Sequence, residues 1–473
     1  MNSLSKSRIL PPHSHEDHSN TVSPVRESRC SRITVSGFAI RKGSFCIDRI
    51  SNHLPVYCRT ISAGNTVYNK QALTENPRFL NIIISLQLLF FPVNCVPEGS
   101  FMQETLCCLA SAAFGLEGLV AGELRELGMS DVKTENGCVR FLASVKQLFL
   151  CNLKMHFSER VFIVAAEKIC TSFEELFCLV SSVPWQDYAD GHEAFNVSAK
   201  CVRSRLMSPS DCQSITKKAI IEKLKKTRHL SRFPEDGPPL PVVVSVHSDL
   251  VRILINTSGD ALSRRGYRTW NGEAPLRETL ASALIHLSPW NRSLPLYDPC
   301  CGTGTILIEA ALKAEGAAPG IHRSFAMEQF FPFRSFPFAE IRRQVSEECT
   351  PDIPFSVRGS DIDPDAIELS HRHIRQAKLN NRVYTEILPL QQVNLAEPSG
   401  VFICNPPYGE RLSDQKSCRA LYRDLRALKN RHPGWSMCVI TSDPAFEKVF
   451  GLRASRKRRL YNGRLECTYY IFA

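Results

Sequence analysis

The spacing of apolar and polar positions separates the first hundred residues from the rest of the chain. No hydrophobic period persists there, whereas from Glu104 onward short apolar runs alternate with segments whose leucines recur at helical spacing. That alternation is typical of an α/β fold. Runs of β-branched and aromatic residues predict strands at 139–142, 160–165 and 195–200, and 242–246 is predicted to pair with 251–256 around Ser248 and Asp249.

A basic amphipathic helix is predicted at 215–232. Its apolar face is made of Ile215, Ala219, Ile220 and Leu224. Its other face is positively charged, with Glu222 as the only acid. Such a face often does no more than keep a helix hydrated. Because nearly all of its charge has one sign, we favour contact with an RNA backbone, through Lys217, Lys218, Lys225, Lys226 and Arg228.

A strand, a glycine loop and a helix follow one another at 294–312. Gly302 and Gly304 let the backbone turn sharply, and the first turn of the helix presents free N–H groups to a ligand. A dinucleotide site needs a third glycine, but this position is Leu307. The acid before the glycines suits a cationic head group, such as the amino-acid part of S-adenosylmethionine. We therefore predict that this cofactor is bound by Asp298, Gly302, Gly304 and Thr305.

Asp361 ends the next predicted strand, which begins near Phe355. In doubly wound folds an acid at this place binds ribose hydroxyls, and we assign that role to Asp361. Asp363 is predicted to cap the helix 364–379, with Pro364 in its first turn. Simple capping by both acids is the alternative.

The last candidate motif is Asn405-Pro406-Pro407-Tyr408, directly after the apolar run 401–404. The run is predicted to be a buried parallel strand that the two prolines end. The Asn405 side-chain oxygen and the Pro406 carbonyl can accept the two hydrogens of an exocyclic amine, while Tyr408 stacks on the base. An ordinary turn after a strand is the alternative.

These three strand ends are expected to lie side by side along one edge of a doubly wound sheet, where ligands of such sheets bind. Together they predict an S-adenosylmethionine-dependent methyltransferase that acts on the amine of a base. Hydrogen bonds to Asn405 and Pro406 would localise the lone pair of the amine, and Tyr408 would hold the base in plane. These three residues are therefore the predicted catalytic residues.

Composition agrees with a globular protein that has a polyanionic partner. The 473 residues are 43% hydrophobic and carry a net charge of +11, which favours nucleic acid. The 19 cysteines include no Cys-x-x-Cys pair, so we predict neither a metal site nor a disulfide framework. The uncharged stretch 79–96 is short for a membrane span and contains polar residues, so a buried or interfacial segment, or part of a targeting region, is favoured over a membrane span.

Residues 1–100 are predicted to form an N-terminal extension. The first 60 are rich in Ser and Arg and poor in acids, as organellar transit peptides are. Glu16 and Asp17 favour an ordinary extension instead, so both interpretations stay open. We expect an organellar protein, with the chloroplast favoured over the mitochondrion and the cytoplasm as the alternative.

In these motifs the chain resembles the bacterial 23S ribosomal RNA guanine-N2 methyltransferases, in which a THUMP domain precedes a Rossmann-like catalytic domain. Beyond the motifs above, the resemblance rests on Gly115-Leu116-Glu117, Ser258-Gly259-Asp260, Arg265-Gly266-Tyr267-Arg268, Pro275 with Glu278-Thr279-Leu280-Ala281, and Ala318-Pro319-Gly320. It implies an α+β THUMP domain at 104–260 and a Rossmann-like α/β methyltransferase domain at 261–473. It also implies S-adenosylmethionine as methyl donor and large-subunit ribosomal RNA as substrate.

Two departures from the family pattern leave alternatives open. The third strand is expected to end in an acid that contacts the adenine, but this region offers only Gln391, Gln392 or Asn394. The chain also ends before the second methyltransferase domain that some of the bacterial proteins carry, which implies a single modification. Since the Asn-Pro-Pro-Tyr motif also serves adenine-N6 methylation of RNA or DNA, that activity is the first alternative. A catalytically inactive RNA-binding protein is the second.

Overall fold

A computed structural model describes residues 105–268, 276–408 and 412–473. The described residues belong to one compact unit and form two seven-stranded sheets. The predicted N-terminal extension lies outside the described residues, and so do the stretch 79–96 and the Ser- and Arg-rich segment.

The first sheet is an α+β arrangement. In chain order its elements are β1 (Leu106–Ala112), α1 (Glu117–Glu126), β2 (Ser130–Glu135), β3 (Cys138–Ala143), α2 (Val145–Lys154), β4 (Ser158–Ile169), α3 (Phe173–Ser182), β5 (Ala194–Val202), α4 (Pro209–Thr227), β6 (Pro239–His247) and β7 (Leu250–Asn256). The strands lie in the order β2-β3-β1-β4-β7-β6-β5. Strands β5 and β6 are parallel, and the other neighbouring pairs are antiparallel.

The predicted hairpin between 242–246 and 251–256 is confirmed. Strands β6 and β7 pair antiparallel, and Ser248 and Asp249 between them have φ angles of 50° and 64°. Two central residues with positive φ form the turn whose twist matches that of the flanking strands. The predicted strands at 139–142, 160–165 and 195–200 correspond to β3, β4 and β5.

The basic helix has different ends from those predicted. Helix α4 begins earlier because the Ser208 side chain accepts a hydrogen bond from the Asp211 N–H and Pro209 occupies the first turn. It ends at Thr227, and His229 beyond it has a left-handed φ of 55°. Arg228 and Arg232 therefore follow the helix instead of lying on it.

The second sheet is doubly wound and Rossmann-like, as predicted. Its elements are α5 (Glu278–Leu287), β8 (Leu296–Asp298), α6 (Thr305–Ala314), α7 (Phe338–Glu347), β9 (Val357–Asp361), α8 (Pro364–Gln376), β10 (Val383–Ile387), β11 (Gly400–Cys404), α9 (Leu412–Arg431), β12 (Trp435–Thr441), α10 (Phe446–Phe450), β13 (Arg456–Asn462) and β14 (Leu465–Phe472). The strand order is β10-β9-β8-β11-β12-β14-β13. The five strands β10, β9, β8, β11 and β12 are parallel. Strand β14 is antiparallel to β12, and β13 pairs antiparallel with β14 at the edge of the sheet.

The apolar run at 401–404 forms the buried parallel strand β11, as predicted. Val401 and Ile403 pack in one hydrophobic core, while Phe402 and Cys404 pack in the core on the other face. Strand β11 is therefore buried on both faces. Its end is fixed in the middle of the sheet, next to β8.

The two sheets are joined by tight contacts at the edge strand β13. Gly115 has a φ of 89°, and a Cβ at this position would lie 2.7 Å from the Arg459 carbonyl oxygen. The Arg458 guanidinium donates to the Gly115 carbonyl over 2.7 Å. A glycine is needed here because the chain before α1 passes directly over the β13 backbone.

Candidate active site

The carboxyl ends of three adjacent strands meet at one pocket. Asp361 ends β9, Asp298 ends β8, and Asn405 follows β11, and all three line a cavity of about 540 Å³. The strand order reverses between β8 and β11, which is where ligands bind in doubly wound sheets. The volume lies within the range of about 300–1,000 Å³ that is usual for cofactor pockets. The structure thus brings together the side chains that the three sequence motifs singled out.

The glycine loop between β8 and α6 has left-handed backbone at both glycines. Gly302 has a φ of 49° and lines the pocket. Gly304 has a φ of 80° and caps α6, and a Cβ there would lie 2.4 Å from the Ser370 hydroxyl oxygen of α8. Gly304 therefore lets the loop pack directly on α8, and this packing leaves the first turn of α6 at the pocket, where Thr305 and Ile306 line it.

Asp298 is a buried carboxyl that faces the pocket. It is 1% exposed, and its Oδ1 accepts a hydrogen bond from the Cys300 N–H over 3.1 Å. Burial raises the pKa of Asp298 well above its usual value, and the nearby Asp361 acts in the same direction. A cationic group in the pocket would reverse this effect, because it favours the charged carboxylate. The site therefore fits an ammonium group.

Asp361 holds the glycine loop as well as lining the pocket. Its Oδ2 accepts from the Gly302 N–H over 2.8 Å, and its Oδ1 accepts from the Asp363 N–H over 3.1 Å. Each carboxylate oxygen can accept a second hydrogen bond, so both remain able to bind ribose hydroxyls. The predicted capping by Asp363 is confirmed, since its side chain accepts from the Asp365 N–H over 2.9 Å.

Two of the four residues of the Asn-Pro-Pro-Tyr motif line the pocket. The described lining includes Asn405 and Pro407, but neither Pro406 nor Tyr408. Tyr408 packs against the hydrophobic core, and its hydroxyl donates to Asn405 Oδ1. Stacking of Tyr408 on a base therefore stays a prediction about the complex with the target base. In this structure Pro407 forms part of the pocket wall.

The adenine-contacting residue expected at the third strand is not found there. Gln391 donates to the Asp424 carboxylate of α9 over 2.7 Å, and the described pocket lining contains none of Gln391, Gln392 and Asn394. An exposed apolar side chain that the sequence motifs did not single out instead stands between two residues of the lining. Ile362 is 71% exposed and stands between Asp361 and Asp363, which both line the pocket. The sequence signal was an isoleucine between two acids directly after a strand.

Arg268 ties the first residues of the methyltransferase domain to α6. Its guanidinium donates to the Thr305 hydroxyl and to the Leu276 carbonyl, and it forms an ion pair with Glu278 at 3.4 Å. Burial raises the pKa of Glu278 to about 7, against the opposing effect of Arg268. Sequence analysis placed Arg268 in a family motif without giving it a role.

The predicted RNA-binding residues have different surroundings. Lys217 and Lys218 form ion pairs with Glu235 (2.9 Å) and Glu222 (3.8 Å), and Lys225 and Lys226 lie in the last turn of α4. The Arg228 guanidinium instead donates to the Gln186 and Ala189 carbonyls over 2.6 and 3.1 Å, and it lies over the Phe331 ring. Arg228 thus holds the domain together in this structure.

The described ranges contain neither a metal-ligand cluster nor a membrane-spanning helix. Among these residues, no group of three or more His, Cys, Asp or Glu side chains is arranged to hold a metal ion. In the same part of the chain, no helix is both long enough and apolar enough to cross a bilayer.

Three family models match the chain. They are the RlmL ferredoxin-like domain at 108–162, the THUMP domain at 170–256 and the RMKL-like methyltransferase domain at 265–471. The first two models fall within the single domain predicted at 104–260. The strands of the two matched regions form one sheet, because β4 pairs with β7.

Relatives of known sequence cover most of the chain. YpsC of Bacillus subtilis (strain 168), a candidate RNA methyltransferase, is 34% identical over 366 residues, which are 77% of this chain and 95% of that protein. The ribosomal RNA large subunit methyltransferase K/L of Syntrophotalea carbinolica is 30% identical and covers 78% of this chain. This chain spans about half the length of that relative, since the match covers 54% of it.

Solved structures show the same fold. SMU.472, a candidate methyltransferase complexed with SAH, matches with a TM-score of 0.75 and 38% identity, covering 78% of this chain and 98% of its own. A predicted N6-adenine-specific DNA methylase from Listeria monocytogenes str. 4b F2365 matches with a TM-score of 0.74 and 37% identity, covering 79% of this chain and 97% of its own.

The fold is that of the Rossmann-like, S-adenosylmethionine-dependent methyltransferases. It has a doubly wound sheet, a glycine loop, and a pocket where the strand order reverses. The family models and the identity to YpsC place the chain within that class. The chain belongs to the RlmK/L-like methyltransferase family, in which a THUMP domain accompanies the catalytic domain.

Proposed function

We propose that this protein is an S-adenosylmethionine-dependent RNA methyltransferase that methylates the exocyclic N2 of a guanine in ribosomal RNA. The observation that carries the proposal is the presence of Asn405 in the same pocket as Asp298 and Asp361. An acceptor for an amine hydrogen thus stands beside two carboxyls suited to a cofactor. The match to the THUMP model and the relatives named for RNA methylation support RNA as the substrate.

The pocket fits S-adenosylmethionine at three points. Asp298 would bind its ammonium group, and Asp361 would accept hydrogen bonds from its ribose. The exposed Ile362, which stands between the lining residues Asp361 and Asp363, would pack against its adenine. The bound cofactor supplies an electrophilic methyl group on a sulfonium centre. The glycine loop keeps the floor of the pocket close to the ligand, since Gly302 and Gly304 present no side chain there.

Asn405 would orient the target amine. Its Oδ1 accepts one amine hydrogen, which directs the nitrogen lone pair out of conjugation with the ring and towards the methyl group. The Pro406 carbonyl would accept the second hydrogen, while Pro407 and Tyr408 limit the position of the base. No strong base is required of the chain, because the methylated ammonium is acidic enough to release its proton to water.

Adenine-N6 methylation is the second candidate function. It is favoured by the Listeria monocytogenes structure, which is named for adenine methylation of DNA. The two functions share the amine-binding arrangement and differ in the base and the nucleic acid.

The deciding experiment incubates the full chain with deuterium-labelled S-adenosylmethionine and either unmodified large-subunit ribosomal RNA transcribed in vitro or duplex DNA. Mass spectrometry of the nucleosides then identifies the product. The proposal predicts labelled N2-methylguanosine from the RNA. Labelled N6-methyladenosine, or label in DNA alone, would replace it with the second function. A chain that binds no S-adenosylmethionine in calorimetry would instead be an RNA-binding protein without activity.

We also propose an organellar location, with the chloroplast favoured. The Ser- and Arg-rich composition of the first 60 residues supports it. Imaging of the full chain with a fluorescent protein at its C-terminus tests the proposal, and a signal confined to the cytoplasm would contradict it.

A further inference from the structure

A path of hydrogen bonds leads from the last hairpin of the sheet to the acceptor side of the pocket. Asn462 Nδ2 donates to the Tyr408 hydroxyl oxygen over 3.4 Å, and the same hydroxyl donates to Asn405 Oδ1. Asn462 is 54 positions from Tyr408 in the sequence. It reaches the pocket edge because β13 and β14 form a hairpin whose turn lies at the carboxyl end of β12.

The chemistry of these groups fixes the direction of each hydrogen bond. An amide NH₂ only donates and an amide oxygen only accepts, so the Tyr408 hydroxyl accepts from Asn462 and donates to Asn405. A hydroxyl that accepts one hydrogen bond donates a stronger one. The Cys467 thiol also lies beside this hydroxyl. Its sulfur could accept the Tyr408 hydrogen, but a thiol sulfur is a weaker acceptor than an amide oxygen, so Asn405 Oδ1 is the favoured acceptor.

The hydroxyl keeps its hydrogen over the whole neutral range. Burial raises the pKa of Tyr408 well above its usual value. The contact with Asn405 Oδ1 is therefore a donated hydrogen bond at any pH at which the enzyme would work. One lone pair of that oxygen is used by Tyr408, and the second is left for another donor.

We propose that Asn462 is a positioning residue for methyl transfer, which acts through Tyr408 to hold the Asn405 oxygen in the orientation that accepts the target amine. The inference rests on the proposed function, because it uses Asn405 as the amine acceptor. It gives Tyr408 a second role as the anchor of Asn405, independent of any stacking on the base. Binding of S-adenosylmethionine involves none of these contacts.

The test exchanges the donor at position 462 for an acceptor of the same shape. In Asn462→Asp the carboxylate attracts the Tyr408 hydrogen, and Asn405 loses its anchor. With the RNA transcript described above, kcat is expected to fall about tenfold, as for the loss of one hydrogen bond used in the transition state. The KM for RNA and the Kd for S-adenosylmethionine are expected to stay unchanged. Asn462→Gln keeps an amide donor and should recover part of kcat.

Two comparisons separate positioning from a general structural role. In a Tyr408→Phe background the path is already broken, so Asn462→Asp should cause no further loss of kcat. Asn380→Asp makes the same chemical change on an exposed residue after α8, at the opposite edge of the sheet, and should leave kcat unchanged. An unchanged kcat in Asn462→Asp, or an equal loss in both backgrounds, would overturn the proposal.

A crystal structure of Asn462→Asp supplies a readout that does not depend on activity. The distance between the Tyr408 hydroxyl oxygen and Asn405 Oδ1 is expected to lengthen, because the hydrogen that joined the two oxygens is donated to the new carboxylate. An unchanged contact between Tyr408 and Asn405 would overturn the proposal even if the RNA transcript proved not to be a substrate. Absence of methyl transfer by the parent protein would count against the proposed function instead.

Discussion

The two sides of the pocket are built in different ways. The cofactor side consists of Asp298, the glycine loop and Asp361, and its shape is set by backbone contacts, such as the bond from the Gly302 N–H to Asp361. The acceptor side consists of Asn405 and the residues after it, and its amide is held by side chains, through Tyr408 and Asn462. The first side is therefore built where adjacent parallel strands end, and its contacts join loops at the ends of β8 and β9. The second side depends on the hairpin β13–β14 at the edge of the sheet. Substitutions on the cofactor side should therefore weaken cofactor binding, whereas substitutions on the acceptor side should slow methyl transfer.

The largest separation is expected for Asn405→Ala. Removal of the amine acceptor should lower kcat by about 100-fold or more, in the range known for loss of a group that stabilises a transition state. The Kd for S-adenosylmethionine should stay within about twofold of the parent, because the residues that fit the cofactor are unchanged. Single-turnover methyl transfer and calorimetry measure the two quantities. A large loss of cofactor affinity would show that the two sides are not separate.

Gly304→Ala should damage the cofactor side. A Cβ would clash with the Ser370 hydroxyl at a φ of 80°, so the Ser370 side chain or the loop must shift. We expect the loop to shift, and calorimetry should then show cofactor affinity lowered by about 30-fold or more. Gly451→Ala is the matched control, because its φ is 72° and nothing lies within 4 Å of its Cβ position. Equal affinities in the two variants would contradict the packing role of Gly304.

Asp298→Asn should weaken the cofactor and stabilise the empty protein. Loss of the negative charge is expected to raise the Kd for S-adenosylmethionine about tenfold, as for removal of one buried charged hydrogen bond. Because burial raises the folded pKa of Asp298, the parent is expected to lose stability as pH rises above the ordinary aspartate pKa of about 3.9. In ligand-free urea unfolding, the stability of the variant relative to the parent should increase from pH 4 to pH 8. A difference that does not change with pH would contradict this account.

Arg268→Gln should have a smaller effect on the cofactor side. It removes the contact with the Thr305 hydroxyl in the first turn of α6, and cofactor affinity should fall by about threefold to tenfold in calorimetry. Arg264→Gln is the control, because Arg264 is 74% exposed and pairs only at the surface with Asp260. Equal effects of the two substitutions would argue against a role for Arg268 at the pocket.

The smallest effect is expected at the basic helix, for which we propose contact with RNA and no role in cofactor binding. Lys226→Ala should weaken binding of the RNA transcript by about twofold to fivefold and reduce the slope of affinity against salt by about one. Cofactor affinity and thermal stability should not change. Arg228→Ala should lower thermal stability instead, since Arg228 binds two backbone carbonyls. A salt slope changed by Arg228→Ala and not by Lys226→Ala would reverse these assignments.

The difference between strand-end motifs and contacts made by the edge hairpin explains what the sequence could predict. Asp298, Asp361 and Asn405 each follow an apolar run, and a doubly wound sheet places such strand ends together. The sequence signal at Ile362 is weak, because it is no more than an apolar residue between two acids. The role of Arg228 could not be predicted, because it depends on carbonyls about 40 positions away in the chain. Asn462 had no signal at all, because its partner Tyr408 becomes a neighbour only when β13 and β14 join the sheet.

The central claim is that the acceptor side holds the 2-amino group of a guanine. After the methylated position is mapped, a transcript with inosine at that position tests the claim directly, because inosine lacks only this amine. We predict that methyl transfer from labelled S-adenosylmethionine falls to background while the affinity for the RNA stays within about twofold. Transfer to the inosine transcript at the parent rate would contradict the claim.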